Sequence, residues 1–131
     1  MTIAVDFDGT CTTHDYPHIG KDIGAIQVLR DLVENGHKLI LFTMRHGPEL
    51  ETAQKWFEDN GIKLYASQYN PSQRFWTKSN KCYAELYIDD AALGCPLLNN
   101  PEISDRDFVD WVKVMELLTQ KGLFVPVKKK K

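Results

Sequence analysis

Two pairs of acids stand at the ends of apolar runs. In "AVDFDGT" the β-favouring residues Ile3, Ala4 and Val5 drive straight into Asp6 and Asp8, followed by Gly9 and Thr10, and in "AELYIDD" a second run closes on Asp89 and Asp90. Carboxylates this close repel one another and resist desolvation, so a buried strand end gains nothing by carrying them. A cation between them removes the conflict. All-oxygen donors favour a hard ion such as Mg²⁺, which keeps positions open for water and a substrate phosphate when few carboxylates hold it. Phosphoryl transfer is the chemistry that such a site serves.

The types and spacing assign roles. Asp6 is the candidate nucleophile, its carboxylate attacking phosphorus to give an aspartyl-phosphate. Asp8, two residues on, can protonate the leaving oxygen and then activate water. Gly9 lets the backbone turn and Thr10 can hold the turn by its hydroxyl. Thr43, at the end of "HKLILFT", would donate a hydrogen bond to a phosphoryl oxygen, and a lysine, Lys81 or Lys78, would neutralise the charge that builds up. Gly9, Thr10 and Arg45 are the candidate substrate contacts. His14, Asp15, Tyr16 and His18 lie beside the first acid pair, His46 follows Arg45, and Phe75 and Trp76 are candidates for stacking or a subunit contact. Taken singly, Thr43 and the two lysines read as ordinary strand-end and surface residues; their place in the series promotes them.

The elements that would position these groups follow from periodicity. Strands are expected at 2–6, 37–43, 62–66 and 84–88, with a long loop over 7–21. Ile23, Ile26, Leu29, Leu32 and Val33 recur at helical spacing, capped by Asp22 and closed by Gly36. A second helix starts at Pro48, turns Leu50, Ala53, Trp56 and Phe57 inward and ends near Gly61. A third is expected after Ser104, with Phe108, Val112, Met115 and Leu118 on one face and Gly122 beyond its end. Strands alternating with helices imply right-handed crossovers and an α/β, Rossmann-like three-layer sandwich, a mostly parallel sheet with helices on both faces. In such sheets ligands bind at the carboxyl ends of the strands, where Asp6, Asp8, Thr43, Asp89 and Asp90 all fall.

Length and composition bound the rest. A chain of 131 residues, 43% hydrophobic and 26% charged, is expected to form one soluble domain over 1–131. Its net charge of −2 supplies no global reason to expect nucleic acid or an anionic membrane as partner. Cys11, Cys82 and Cys95 are far apart without a C-x-x-C spacing, which indicates neither a disulfide framework nor zinc and suits a reducing cytoplasm. No apolar stretch approaches the roughly 18 residues of a membrane helix, and the N-terminus has no signal-peptide pattern. Residues 127–131, ending in four lysines, read as a solvated, disordered basic tail.

"DFDGT" at 6–10, the threonine of "LFT", a lysine upstream of the last strand and the acids of "YIDD" resemble, in order, the four motifs of the haloacid dehalogenase (HAD) superfamily, most of whose members are Mg²⁺-dependent phosphatases. The resemblance implies Asp6 as nucleophile and Asp8 as acid and base, also a metal ligand through its main-chain carbonyl. It implies Thr43 as phosphate binder and Asp89 and Asp90 as metal ligands, Asp90 the direct one. Lys81, in "SNKCYAELYIDD", is similar to the lysine of small members, with Lys78 the alternative. The gaps after "DFDGT" and before the lysine are too short for a cap domain. The chain thus resembles the capless subgroup, which acts on macromolecular substrates or borrows walls from neighbouring subunits, so a homo-oligomer is expected. It is most similar to small bacterial and phage members in "YPHIG" and "YIDD"; several of those carry arginine where Ala91 stands.

The expected activity is Mg²⁺-dependent phosphomonoester hydrolysis. A receiver domain is a rival, but it places its acid pair after the first strand and its phosphoacceptor after the third, where this chain has "YASQ". A metal- and phosphate-binding module without turnover is the other. Nucleotide, sugar phosphate, phosphoprotein and nucleic-acid end are all open as substrates.

Overall fold

Every strand of the central sheet runs in one direction. The computed structural model describes residues 1–127, so the lysines at 128–131 lie outside the described residues. Strands β1 (Thr2–Val5), β2 (Lys38–Leu41), β3 (Ala66–Ser67) and β4 (Leu86–Ile88) form a parallel sheet in the order β3-β2-β1-β4. Helix α1 (Ala25–Glu34) follows β1, α2 (Gly47–Asp59) follows β2, and a 3₁₀ turn (Pro71–Phe75) lies between β3 and β4. A small antiparallel pair, β5 (Leu97–Leu98) and β6 (Phe108–Val109), precedes α3 (Trp111–Gln120). Val5 stands opposite both Leu41 and Ile88, so the carboxyl ends of β1, β2 and β4 meet at one edge. Single hydrogen bonds carry the ladder one residue further, Asp6 N to the Ile88 carbonyl (3.0 Å) and Phe42 N to the Val5 carbonyl (2.8 Å).

Alternation along the strands sorts the core. Ile3, Val5, Leu39, Leu41 and Ile88 join Val28 and Leu29 of α1, Phe57 of α2 and Trp111, Val114 and Leu118 of α3 in one buried cluster. Ala4 and Ile40 are as deeply buried but point the other way. Helices on both faces were expected; instead all three share one face. The chain steps the same way from β1 to β2 to β3, and right-handed crossovers then leave α1 and α2 on one side. Only the return to β4 crosses the opposite face, and it forms a 3₁₀ turn and loop. Gln73 organises that second layer: its Nε2 donates to the carbonyls of Ser79 (3.0 Å) and Lys81 (2.7 Å), and its Oε1 accepts from Tyr83 N (2.8 Å). Tyr87, from β4, donates its hydroxyl to the Cys82 carbonyl at 2.6 Å.

Local chemistry moved three element boundaries. Asp22 does not open α1: its Oδ1 accepts from Gly24 N in a tight turn, and Gly24 at φ 95° holds the helix start back to Ala25. The third strand is not 62–66 but Ala66–Ser67, because Ile62 N closes the end of α2 on the Phe57 carbonyl and its side chain is buried there. Ser104 does not cap the last helix; Asp110 does, its Oδ1 accepting from Lys113 N. Phe108 is buried as part of β6, and the inner face of α3 is Trp111, Val114 and Leu118, with Val112 outside. Both readings share Met115 and Leu118 at helical spacing, and a 3.6-residue period cannot tell where such a series begins.

The β6–α3 junction reaches back to the first acid motif. Val109 N donates to the Gly9 carbonyl at 3.0 Å, and the buried Trp111 indole donates to the Thr10 carbonyl at 2.7 Å. No helix among the described residues is long and apolar enough to cross a membrane. Trp111→Phe keeps the ring but strands the Thr10 carbonyl, and urea denaturation should show a loss of about 1–3 kcal/mol. An unchanged midpoint would reduce Trp111 to apolar packing.

Candidate metal and phosphate site

Asp6, Asp89 and Asp90 are brought together by the sheet. Each offers a carboxylate oxygen, and these oxygens lie within 4.8 Å of one another. The cause is register: Val5 pairs with Ile88, so Asp6 and Asp89 are the next residues on adjacent parallel strands. Thr10, fully buried, braces the cluster, its hydroxyl 3.0 Å from Asp6 Oδ2 and 3.3 Å from Asp90 Oδ1 while accepting from Asp90 N at 3.0 Å. Thr10 was a candidate substrate contact; with its hydroxyl used up inside the cluster, it is a brace. His14 Nε2 sits 2.9 Å from Asp90 Oδ2, and the ring lies directly on Gly9. Gly9 has φ 78°, and a side chain there would overlap the imidazole and come within 2.6 Å of Asp90 Oδ2.

The electrostatics match that crowding. The Asp6 carboxyl is pushed up from 3.8 to about 8, first by burial and then by the charge of Asp89, although Phe7 N and the Thr10 hydroxyl pull the other way. Three oxygen donors, one of them from a carboxyl so reluctant to ionise, are a fit for a hard divalent cation, whose charge would let all three ionise together. Cys11 donates its thiol to the Asp6 carbonyl, and burial, followed by the charges of Asp6 and Asp8, pushes that thiol well above its usual range. It is no rival nucleophile.

The Asp8 carboxylate stands apart from the three acids. Its Oδ1 and Oδ2 each accept at 2.8 Å from Arg45, which is 1% exposed. Arg45 had been a candidate substrate contact; the structure makes it a clamp. Its remaining donors go to the carbonyls of Pro17, His18 and Glu49, so all five N–H groups are engaged inside the protein. The guanidinium also lies 4.9 Å from the Phe7 ring and 5.3 Å from the Tyr16 ring. One buried fork thereby ties the loop after β1 to the loop after β2. As a metal ligand, Asp8 is left with its main-chain carbonyl.

Thr43 lies just past β2 at the same edge. Its hydroxyl oxygen accepts from Arg45 N at 3.2 Å, an acceptance that does not use the hydroxyl hydrogen. Its backbone is held by a residue that sequence reasoning missed. Gln68, at φ 71°, accepts from Thr43 N at 2.8 Å and donates to the carbonyls of Thr43 (2.6 Å) and Arg45 (3.2 Å). The side-chain amide extends the sheet ladder where β3 has already ended, and no sequence pattern marks a glutamine for that task. The lysines are not gathered in. Lys81 Nζ lies 5.5 Å from the Tyr87 ring centre, and neither it nor the exposed Lys78 forms an ion pair among the described residues. Asp15, Tyr16, His18 and His46 are exposed around the rim.

The fold is shared with a solved structure described as that of a conserved protein coded by a locus from Bacteroides thetaiotaomicron. The two are 36% identical, with a TM-score of 0.75, over 92% of this chain and 91% of that one. No family model matches the chain, and no curated protein matches it.

Two outcomes follow from the geometry. The unfolded chain releases the Asp6 proton near 3.8 and the folded chain near 8, so the stability that this carboxyl contributes is complete below 3.8 and is lost as pH rises through about 8. In chelator, the thermal midpoint should fall across that window, and Asp6→Asn should flatten the slope; a midpoint rising with pH in both proteins would contradict the cluster. Arg45→Met leaves Asp8 and three carbonyls without their donor, and should cost about 3–5 kcal/mol in denaturant unfolding.

Proposed function

The chain belongs to the same family as the conserved Bacteroides thetaiotaomicron protein, and we propose that it is a Mg²⁺-dependent phosphomonoester hydrolase working through an aspartyl-phosphate on Asp6. The observation that carries this reading is the gathering of Asp6, Asp89 and Asp90 at one sheet edge. The position of Thr43 just past β2 at the same sheet edge, and the resemblance of "DFDGT" and "YIDD" to the HAD motifs, support the same reading. The chain would then be a HAD-like core without a cap.

Held by Asp6, Asp89, Asp90 and the Asp8 carbonyl, Mg²⁺ would supply positive charge to the cluster and to the phosphoryl oxygens. The chain's own groups do the rest. An Asp6 oxygen forms a bond to phosphorus as the bond to the leaving oxygen breaks, and Asp8, entering the step protonated on a lone pair that Arg45 does not occupy, delivers that proton to the leaving oxygen. Water then attacks phosphorus, Asp8 takes its proton, and phosphate leaves Asp6 free. Arg45 fixes the Asp8 carboxyl group in place, each oxygen keeping a second lone pair to carry or take the proton. Thr43 donates to the phosphoryl group as its charge rises. A lysine cation would come from Lys81 or Lys78, neither of which forms an ion pair among the described residues.

Turnover of an aryl phosphate should require Mg²⁺ and stop in chelator, and Thr43→Ala should slow it about a hundredfold with the fold intact. Asp6→Asn should abolish it. Asp8→Asn, given a nitrophenyl leaving group that hardly needs a proton, should accumulate a phosphate adduct that peptide mapping places on Asp6. An adduct on Asp89 or Asp90, or normal turnover by Asp6→Asn, would sink the assignment.

A further inference from the structure

A net charge of −2 conceals a segregated surface. Between Asp59 and Glu85 the chain has no acid at all and four cations, Lys63, Arg74, Lys78 and Lys81. Removing these four from the 16 lysines and arginines leaves 12 against 18 acids for the rest of the chain. The same stretch carries Tyr65, Tyr69, Phe75, Trp76 and Tyr83. The fold does not bury these rings: Tyr69 is 62% exposed, Phe75 77% and Trp76 63%. They stand among the cations, with the Arg74 guanidinium 5.0 Å from the Phe75 ring centre and Trp76 edge-on to Tyr83 at 5.3 Å.

A cleft in this surface includes a residue that touches the candidate site. Its volume is about 280 Å³, and it is lined by Gln68, Tyr69, Arg74, Thr77, Lys78 and Asn80 among others, without a single carboxylate. Gln68, in its lining, is the residue whose amide grips Thr43. A ligand lying in this cleft therefore meets the residue that positions Thr43. The rings are held on a braced layer, since Gln73 pins the loop that carries them.

Exposed aromatic faces interleaved with cations are the means by which proteins hold unpaired bases and their phosphates. We propose that residues 69–83 dock a single-stranded oligonucleotide and present its terminal phosphate to Asp6; the second half of this statement rests on the hydrolase reading above. Bases stack on Phe75, Trp76 and Tyr69, while Arg74, Lys78 and Lys81 meet the backbone phosphates. A duplex keeps its bases stacked on one another and offers these rings nothing. A lipid surface fits less well, because Thr77, Ser79 and Asn80 break up the rings.

The test is fluorescence anisotropy of the intact protein with a labelled, unphosphorylated oligothymidylate of about ten nucleotides. Binding is expected, with a log–log salt slope of about −2 for three neutralised phosphates of a single strand. Phe75→Ala with Trp76→Ala should weaken it about tenfold or more, and Lys78→Glu should flatten the slope. All three side chains are exposed, and unchanged circular dichroism would show the fold intact. No binding by the wild type, or equal binding by the double alanine variant, would overturn the proposal. So would binding to anionic phospholipid vesicles without oligonucleotide binding, or competition by thymidine monophosphate as strong as by the strand. The probe has no terminal phosphate, so binding is read apart from turnover. A protein that binds the strand but hydrolyses no aryl phosphate loses the hydrolase and keeps the surface; the reverse loses the surface alone.

Discussion

Three carboxylates with oxygens within 4.8 Å of one another repel, and most of the unusual features of this protein serve to hold them there. A parallel sheet makes the arrangement possible, because adjacent strands end side by side and each delivers its next residue to the same edge. Burial makes it costly, lifting the Asp6 carboxyl to about 8. Thr10 answers locally by sharing one hydroxyl between Asp6 and Asp90. The far end of the chain answers at long range, through Val109 on the Gly9 carbonyl and Trp111 on the Thr10 carbonyl. A motif of five residues is thus held by elements a hundred positions away.

Asp8 is managed separately. A buried guanidinium is tolerated only when every donor is satisfied, and Arg45 meets that condition with two carboxylate oxygens and three carbonyls. The consequence is geometric: two loops that would otherwise move independently share one rigid joint, and the Asp8 side chain is fixed in direction. Thr43, two residues before Arg45, inherits the same rigidity and is braced again by Gln68. A site that must place groups to a fraction of an ångström gains most from such fixed supports.

The sheet is unequally clothed. One face carries all three helices and the main core; the other carries a 3₁₀ turn and a loop organised by Gln73. Such a thin layer has too little depth to bury its own aromatic residues, which is why Phe75 and Trp76 stand in solvent.

What the sequence determined by itself was the alternation of strands and helices, the parallel sheet, and the placing of Asp6, Asp89 and Thr43 at strand ends. Those follow from hydrophobic period and local turn chemistry, which are written in neighbouring residues. The second layer, the start of the last helix at Trp111 and the true work of Arg45, Thr10 and Gln68 were settled only in three dimensions. An arginine looks the same in sequence whether it faces a ligand or is buried among carbonyls, and a glutamine that completes a sheet ladder has no pattern at all. Serine and aspartate compete for the same helix start on equal terms until a strand pair such as Leu97–Leu98 with Phe108–Val109 removes one of them. Pairings between distant residues decide these cases, and such pairings leave no trace in local spacing.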